Sequence, residues 1–148
     1  MRSVRLLLTI GSLAAALAVG AAAAQDAAAS PARSCGSLTV GGAAVPTSST
    51  GSGAACMLKA FRTCTPATYR LASFGVDTIT TSTFVLAKSA SGCAVTVSVT
   101  HRVVPRPPSG PTVGRCGAIV RSGSDIVATG CRPATLSPTL SLTGKPRG

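Results

Sequence analysis

Hydrophobic and polar positions along the chain fall into three regimes. Leu6 to Val19 is an apolar run behind Arg2 and Arg5, residues 54–61 repeat at helical spacing, and residues 93–104 alternate with period two. The first run is shorter than the roughly 20 residues that span a bilayer. It ends at Ala22-Ala23-Ala24, an A-x-A pattern that predicts a secretory signal peptide over 1–24, cut after Ala24. In the second regime Ala54, Ala55, Leu58 and Phe61 share one stripe, with Ser52 as cap and Pro66 as stop, which predicts a helix over 54–64.

The third regime is the clearest strand. Cys93, Val95, Val97, Val99, His101 and Val103 alternate with Ala94, Thr96, Ser98, Thr100, Arg102 and Val104, one apolar face against one mainly polar. Such alternation is the mark of an antiparallel sheet covered on one side. Turn signals at Gly75-Val76-Asp77, at 89–92 and at 122–125 divide the chain after Ala67 into further strands, with 78–88 one of them. Ser37 to Val45 is expected as a short strand and Thr47 to Gly53 as a loop. The prolines at 105, 107, 108 and 111 predict an extended connection without ladder hydrogen bonds.

The expected fold class is α+β: one helix packed on a twisted antiparallel β-sheet, a β-meander, in a small secreted domain stapled by disulfides. The expected organisation is a signal peptide over 1–24, a flexible mature N-terminus over 25–34, one disulfide-bonded domain over 35–133, and a tail or edge strand over 134–148. No further run after Ala24 is long and apolar enough to span a membrane.

Cysteines and charge narrow the picture. All six cysteines follow the leader, an even number in a chain bound for an oxidising compartment. If Ser122 to Asp125 forms a four-residue loop, Arg121 faces Ile126, Cys116 faces Cys131 and Arg115 faces Arg132. Facing positions lie about 4.5–5.5 Å apart at Cα, inside the disulfide window, so Cys116–Cys131 is the expected bridge. Cys56 and Cys64 are separated by about 12 Å of helix and cannot pair with each other. Cys35–Cys56 and Cys64–Cys93 then complete the simplest scheme. No C-x-x-C pair is present and the single His101 stands apart from the cysteines, so neither zinc nor any other cofactor is expected.

The formal charge is +11, and removing Arg2 and Arg5 with the leader leaves +9. Asp26, Asp77 and Asp125 are the only acids, and Glu, Asn and Trp are absent. A cation of this density is drawn to anionic polymers, an attraction that falls as salt rises. Arg115, Arg121 and Arg132 are expected to share one side of the last hairpin, joined by Arg102 from a neighbouring strand, as a candidate anion patch. Nucleic-acid recognition lacks its stacking platform, since Phe61, Phe74, Phe84 and Tyr69 are the whole aromatic supply. The residue usage is what GC-rich coding produces and points to a bacterial protein.

Catalysis has a thin inventory. His101 lies in the valine alternation of a core-facing strand, no G-x-S-x-G elbow is present, and two of the three acids fall in turns. The expected function is therefore an exported, non-enzymatic binding or structural module whose basic sheet face contacts anionic envelope or extracellular polymers. The alternative is a secreted protease inhibitor presenting Cys64-Thr65-Pro66-Ala67-Thr68-Tyr69 as a disulfide-anchored loop.

Overall fold

The computed structural model describes residues 31–41 and 52–144. The expected signal peptide and most of the expected 47–53 loop lie outside the described residues. A five-stranded sheet is built in spatial order from β1 (Arg33–Val40), β2 (Ala67–Phe74), β3 (Thr78–Ser89), β4 (Gly92–Val103) and β5 (Thr112–Cys116). The helix α1 (Ser52–Thr63) separates β1 from β2 in sequence. A second sheet holds β6 (Ala118–Ser122), β7 (Asp125–Thr129) and β8 (Thr139–Ser141).

The main sheet is mixed, not wholly antiparallel as expected. β2 to β5 pair antiparallel, whereas β1 runs parallel to β2. The helix supplies the reason, because a crossover returns the chain to the end of the sheet from which it left. β1 also starts earlier than the expected strand at 37: the Arg33 N–H donates to the Pro66 carbonyl at 2.9 Å, and Cys35 is bonded to Cys56. Arg33 and Ser34, expected in a flexible terminus, therefore belong to the sheet.

α1 covers the inner face with Ala54, Met57, Leu58 and Ala60, the expected stripe shifted by Met57 and Ala60, while Ala55 is exposed. These join Tyr69, Phe84, Leu86, Val95 and Val97, the alternate residues of β2, β3 and β4, in one core with Ile119, Ile126 and Leu142. The helix stops where expected. Cys64 takes a left-handed φ of 50°, its N–H donates to the Phe61 carbonyl at 3.2 Å, and the Thr65 N–H donates to the Ala60 carbonyl at 2.9 Å. This is the Schellman arrangement, with a cysteine where glycine is usual because its side chain bonds Cys93 in β4.

Three disulfides join Cys35 to Cys56, Cys64 to Cys93 and Cys116 to Cys131, the same pairs as in the simplest scheme. They fit an oxidising environment. In the last hairpin Arg121 pairs with Ile126 as expected, but the ladder runs one pair further, to Ser122 and Asp125. Gly123, at φ 58°, allows the chain to turn in two residues instead of four. No helix among the described residues is long and apolar enough to cross a membrane.

The C-terminal segment is part of the folded unit, beyond the expected boundary at 133. β8 is an edge strand of the second sheet, and Leu136 and Leu142 enter the core. The Tyr69 hydroxyl donates to the Leu142 carbonyl at 2.9 Å in a buried contact between β2 and the chain after β8. Burial pushes the Tyr69 phenol from 10.0 up to about 12. The unfolded chain loses this proton near pH 10 and the folded chain keeps it to about 12, so stability falls as pH rises through that window. In a Tyr69→Phe variant the Leu142 carbonyl loses its donor, which is expected to cost about 1–3 kcal/mol below pH 10. The same variant should lack the tyrosine-dependent decline between 10 and 12, as read by denaturation midpoints and phenolate absorbance.

Candidate functional site

One face of the five-stranded sheet packs against the helix and the other meets solvent. The register writes out the solvent face in rows. Thr68, Val85, Thr96 and Arg115 form one row across β2 to β5, and Arg70, Thr83, Ser98 and Val113 form the next. Ala72, Thr81 and Thr100 follow, and Arg102 closes the far end opposite Ile79. The result is a floor of short hydroxyl and aliphatic side chains carrying exposed arginines. The two acids among the described residues stand elsewhere: Asp77 in the turn before β3 and Asp125 in the second sheet.

Arg132 extends the first row past β5, facing Arg115. The Arg115 N–H donates to the Arg132 carbonyl at 2.9 Å and the Arg132 N–H returns the bond at 2.8 Å. In such a hydrogen-bonded antiparallel pair both side chains leave the same face from Cα atoms about 5.5 Å apart. Gly114 permits the approach, since a Cβ there would collide with the Arg132 carbonyl oxygen and with Leu136. The adjoining Cys116–Cys131 bridge holds the same register. Both arginines are exposed and line an open concavity of about 630 Å³ with Val113, Gly117 and Pro133.

The four expected patch residues do not form one cluster. Arg115 and Arg132 meet. Arg102 shares their face but lies six residues along β4 from Thr96, the partner of Arg115, or about 20 Å at strand rise. Its Nε donates to the Arg106 carbonyl at 3.1 Å, tying it to the proline-rich loop. Arg121 belongs to another concavity, on the second sheet, with Ser122 and Asp125. Simple alternation from Arg115 to Arg121 fails because Ile119, of the same parity, is buried at 2 % exposure. The chain crosses from one sheet to the other at Gly117, and its outward parity changes there.

Arg70 is the residue that sequence reasoning missed. It is exposed in the middle of β2, between Ser37 of β1 and Thr83 of β3. The signal was present in the alternation of Ala67, Tyr69 and Leu71 with Thr68, Arg70 and Ala72.

Asp125 is not a counter-ion for the arginine pair. Its Oδ1 accepts from the Ile126 N–H at 2.8 Å, from the Ser141 hydroxyl at 3.1 Å, and from the Thr143 hydroxyl, so it anchors the chain around β8. His101, expected among packed valines, is exposed near the end of β4, with its Nδ1 3.1 Å from the Thr80 hydroxyl. The segment from Cys64 to Tyr69 is not a projecting loop. Ala67 and Tyr69 are buried in β2 at 0 % and 2 % exposure, which removes the geometry that an inhibitory loop there would need.

No known protein family, curated protein or solved structure matches the chain. The facing arginines give the site a measurable signature. Two like charges directly opposed cost a few tenths to about 1 kcal/mol, and salt relieves the cost. Arg115→Ser should leave stability unchanged or raise it at low ionic strength. The difference from wild type should vanish in about 0.5 M salt, as measured by denaturant titration of the oxidised protein.

Proposed function

We propose that the protein is an exported, non-enzymatic binding module whose solvent-facing sheet surface contacts anionic polymers of a bacterial cell envelope or the extracellular space. The observation that carries this reading is the placement of Arg70, Arg102, Arg115 and Arg132 on one sheet face that bears no acid. A guanidinium fork donates two parallel N–H bonds to one phosphate, sulfate or carboxylate group, and Arg115 and Arg132 present two such forks side by side. The hydroxyls of Thr68, Thr83, Thr96 and Ser98 offer short donors and acceptors to the polar groups of a polymer lying across the strands.

The sheet also suits the task mechanically. A β-floor holds its side chains in fixed rows, so little ordering is needed when a repeating polymer docks. Nucleic acid is disfavoured as a specific partner, because Tyr69 and Phe84 are stacked on each other in the core with ring centroids 6.3 Å apart. Few aromatic faces remain for bases. Export rests on the leader at 1–24 and on the three disulfides.

Co-sedimentation of the oxidised mature protein with purified anionic envelope tests the reading. Binding at low salt should weaken steeply toward about 0.5 M. Arg70→Ser, Arg115→Ser and Arg132→Ser should each reduce it several-fold, roughly one charge-assisted contact apiece, while Arg121→Ser changes it little. Absence of binding at low salt, or equal loss in the Arg121 variant, would overturn the assignment to this face.

A further inference from the structure

We propose a second anion site at the opposite edge of the main sheet, a small pocket that takes a single tetrahedral oxyanion group, sulfate or phosphate. It is lined by Arg33, Cys56, Lys59, Ala60, Thr63 and Thr65 and has a volume of about 150 Å³. Two cations and two hydroxyls converge there, and neither described acid takes part. The site stands apart from the Arg115 and Arg132 pair, because β1 and β5 are the two edges of the five-stranded sheet.

The pocket adjoins the C-terminal end of α1, where free carbonyls would ordinarily repel an anion. Here two of those carbonyls, of Ala60 and Phe61, are occupied. The Thr63 hydroxyl donates to the carbonyls of Lys59 at 3.2 Å and Ala60 at 3.3 Å. The Thr65 and Cys64 N–H groups cover Ala60 and Phe61 in turn. With the helix end partly capped, Arg33 and Lys59 supply the charge that lines the pocket. The Thr65 hydroxyl, 2.9 Å from that of Thr63, can rotate its proton toward a bound oxygen while Thr63 continues to cap the helix.

The two cations are brought together without help from a ligand. Arg33 is held in β1, two residues before Cys35, and Lys59 lies one turn after Cys56, and the Cys35–Cys56 disulfide joins those two elements. Their mutual repulsion therefore exists in the free protein, and an anion between them relieves it. The small volume selects one oxyanion group in place of a polymer segment. That group is either a free ion or a sulfate or phosphate ester projecting from a larger molecule.

Calorimetric titration of the oxidised mature protein with sodium sulfate, sodium phosphate and a sulfated oligosaccharide, at constant ionic strength against chloride, tests the site. Saturable binding of one ion per chain is expected, weakened about tenfold by either Arg33→Gln or Lys59→Gln, the loss of one charge-assisted contact. Arg115→Ser and Arg132→Ser should leave it unchanged, so the pocket and the sheet face succeed or fail separately. Much tighter binding of the oligosaccharide would identify an ester group as the natural ligand, and equal binding a free ion. Both side chains are exposed and of like charge, so the variants should keep or slightly exceed the wild-type thermal midpoint in chloride buffer free of sulfate and phosphate. Thr65→Val, which keeps both charges, should weaken binding by a smaller factor. No preference over chloride, or wild-type affinity in the Gln variants, would overturn the proposal.

Discussion

The disulfide between Cys64 and Cys93 fixes where the helix lies on the sheet, and the rest of the structure follows from that placement. Cys64 ends α1 in a left-handed turn and Cys93 begins the inward-facing series of β4, with their Cα atoms 5.3 Å apart. The helix packs against β1, β2 and β6, and its buried residues share one core with Phe84, Leu86, Val95 and Val97. Cys35–Cys56 makes the second attachment, from the middle of the helix to β1. A domain of this size has a net stability of about 5–15 kcal/mol, and each bridge typically contributes roughly 2–4. With few large apolar side chains available, covalent placement of the helix stands in for part of a larger core.

The same placement explains how charge is distributed. The core, shared by the helix and the second sheet, lies on one face of the main sheet, so the hydroxyl-rich alternate residues of β2, β3 and β4 are left to the other face together with Arg70 and Arg102. At the β5 edge, Gly114 and the Cys116–Cys131 bridge press the returning chain against the sheet and set Arg132 opposite Arg115. At the β1 edge, the Cys35–Cys56 bridge brings Arg33 beside Lys59. Each cationic pair is thus adjacent to a disulfide. Cross-links hold like charges together where repulsion would otherwise spread them.

Much of the local structure was legible in the chain. The period of 93–104 identified a strand with one covered face, the apolar stripe beginning at Ala54 identified the helix, and hairpin arithmetic from the turn at 122–125 placed Cys116 opposite Cys131 and Arg115 opposite Arg132. These succeed because they depend on backbone periodicity and on pairing across a short turn, which neighbouring residues specify. Arg70 was legible by the same rule, from the alternation of β2, and was overlooked because a lone arginine in a short strand carries no pattern of its own.

Other features required the assembled molecule. The parallel pairing of β1 with β2, the burial of Leu142 beneath the second sheet, and the removal of Arg121 from the patch are all long-range. Each depends on where the chain goes after a break: the crossover through α1, the return from 130 to 141, and the change of sheet at Gly117. By itself the sequence determined the elements, their inward and outward faces, the cysteines available for pairing and the excess of positive charge, because these are properties of neighbours and of composition. Only the tertiary structure decided which further cations share a face or a pocket, because Arg70 is brought to the sheet face of Arg115 and Arg132, and Arg33 to the pocket of Lys59, through packing and cross-links that no local pattern records.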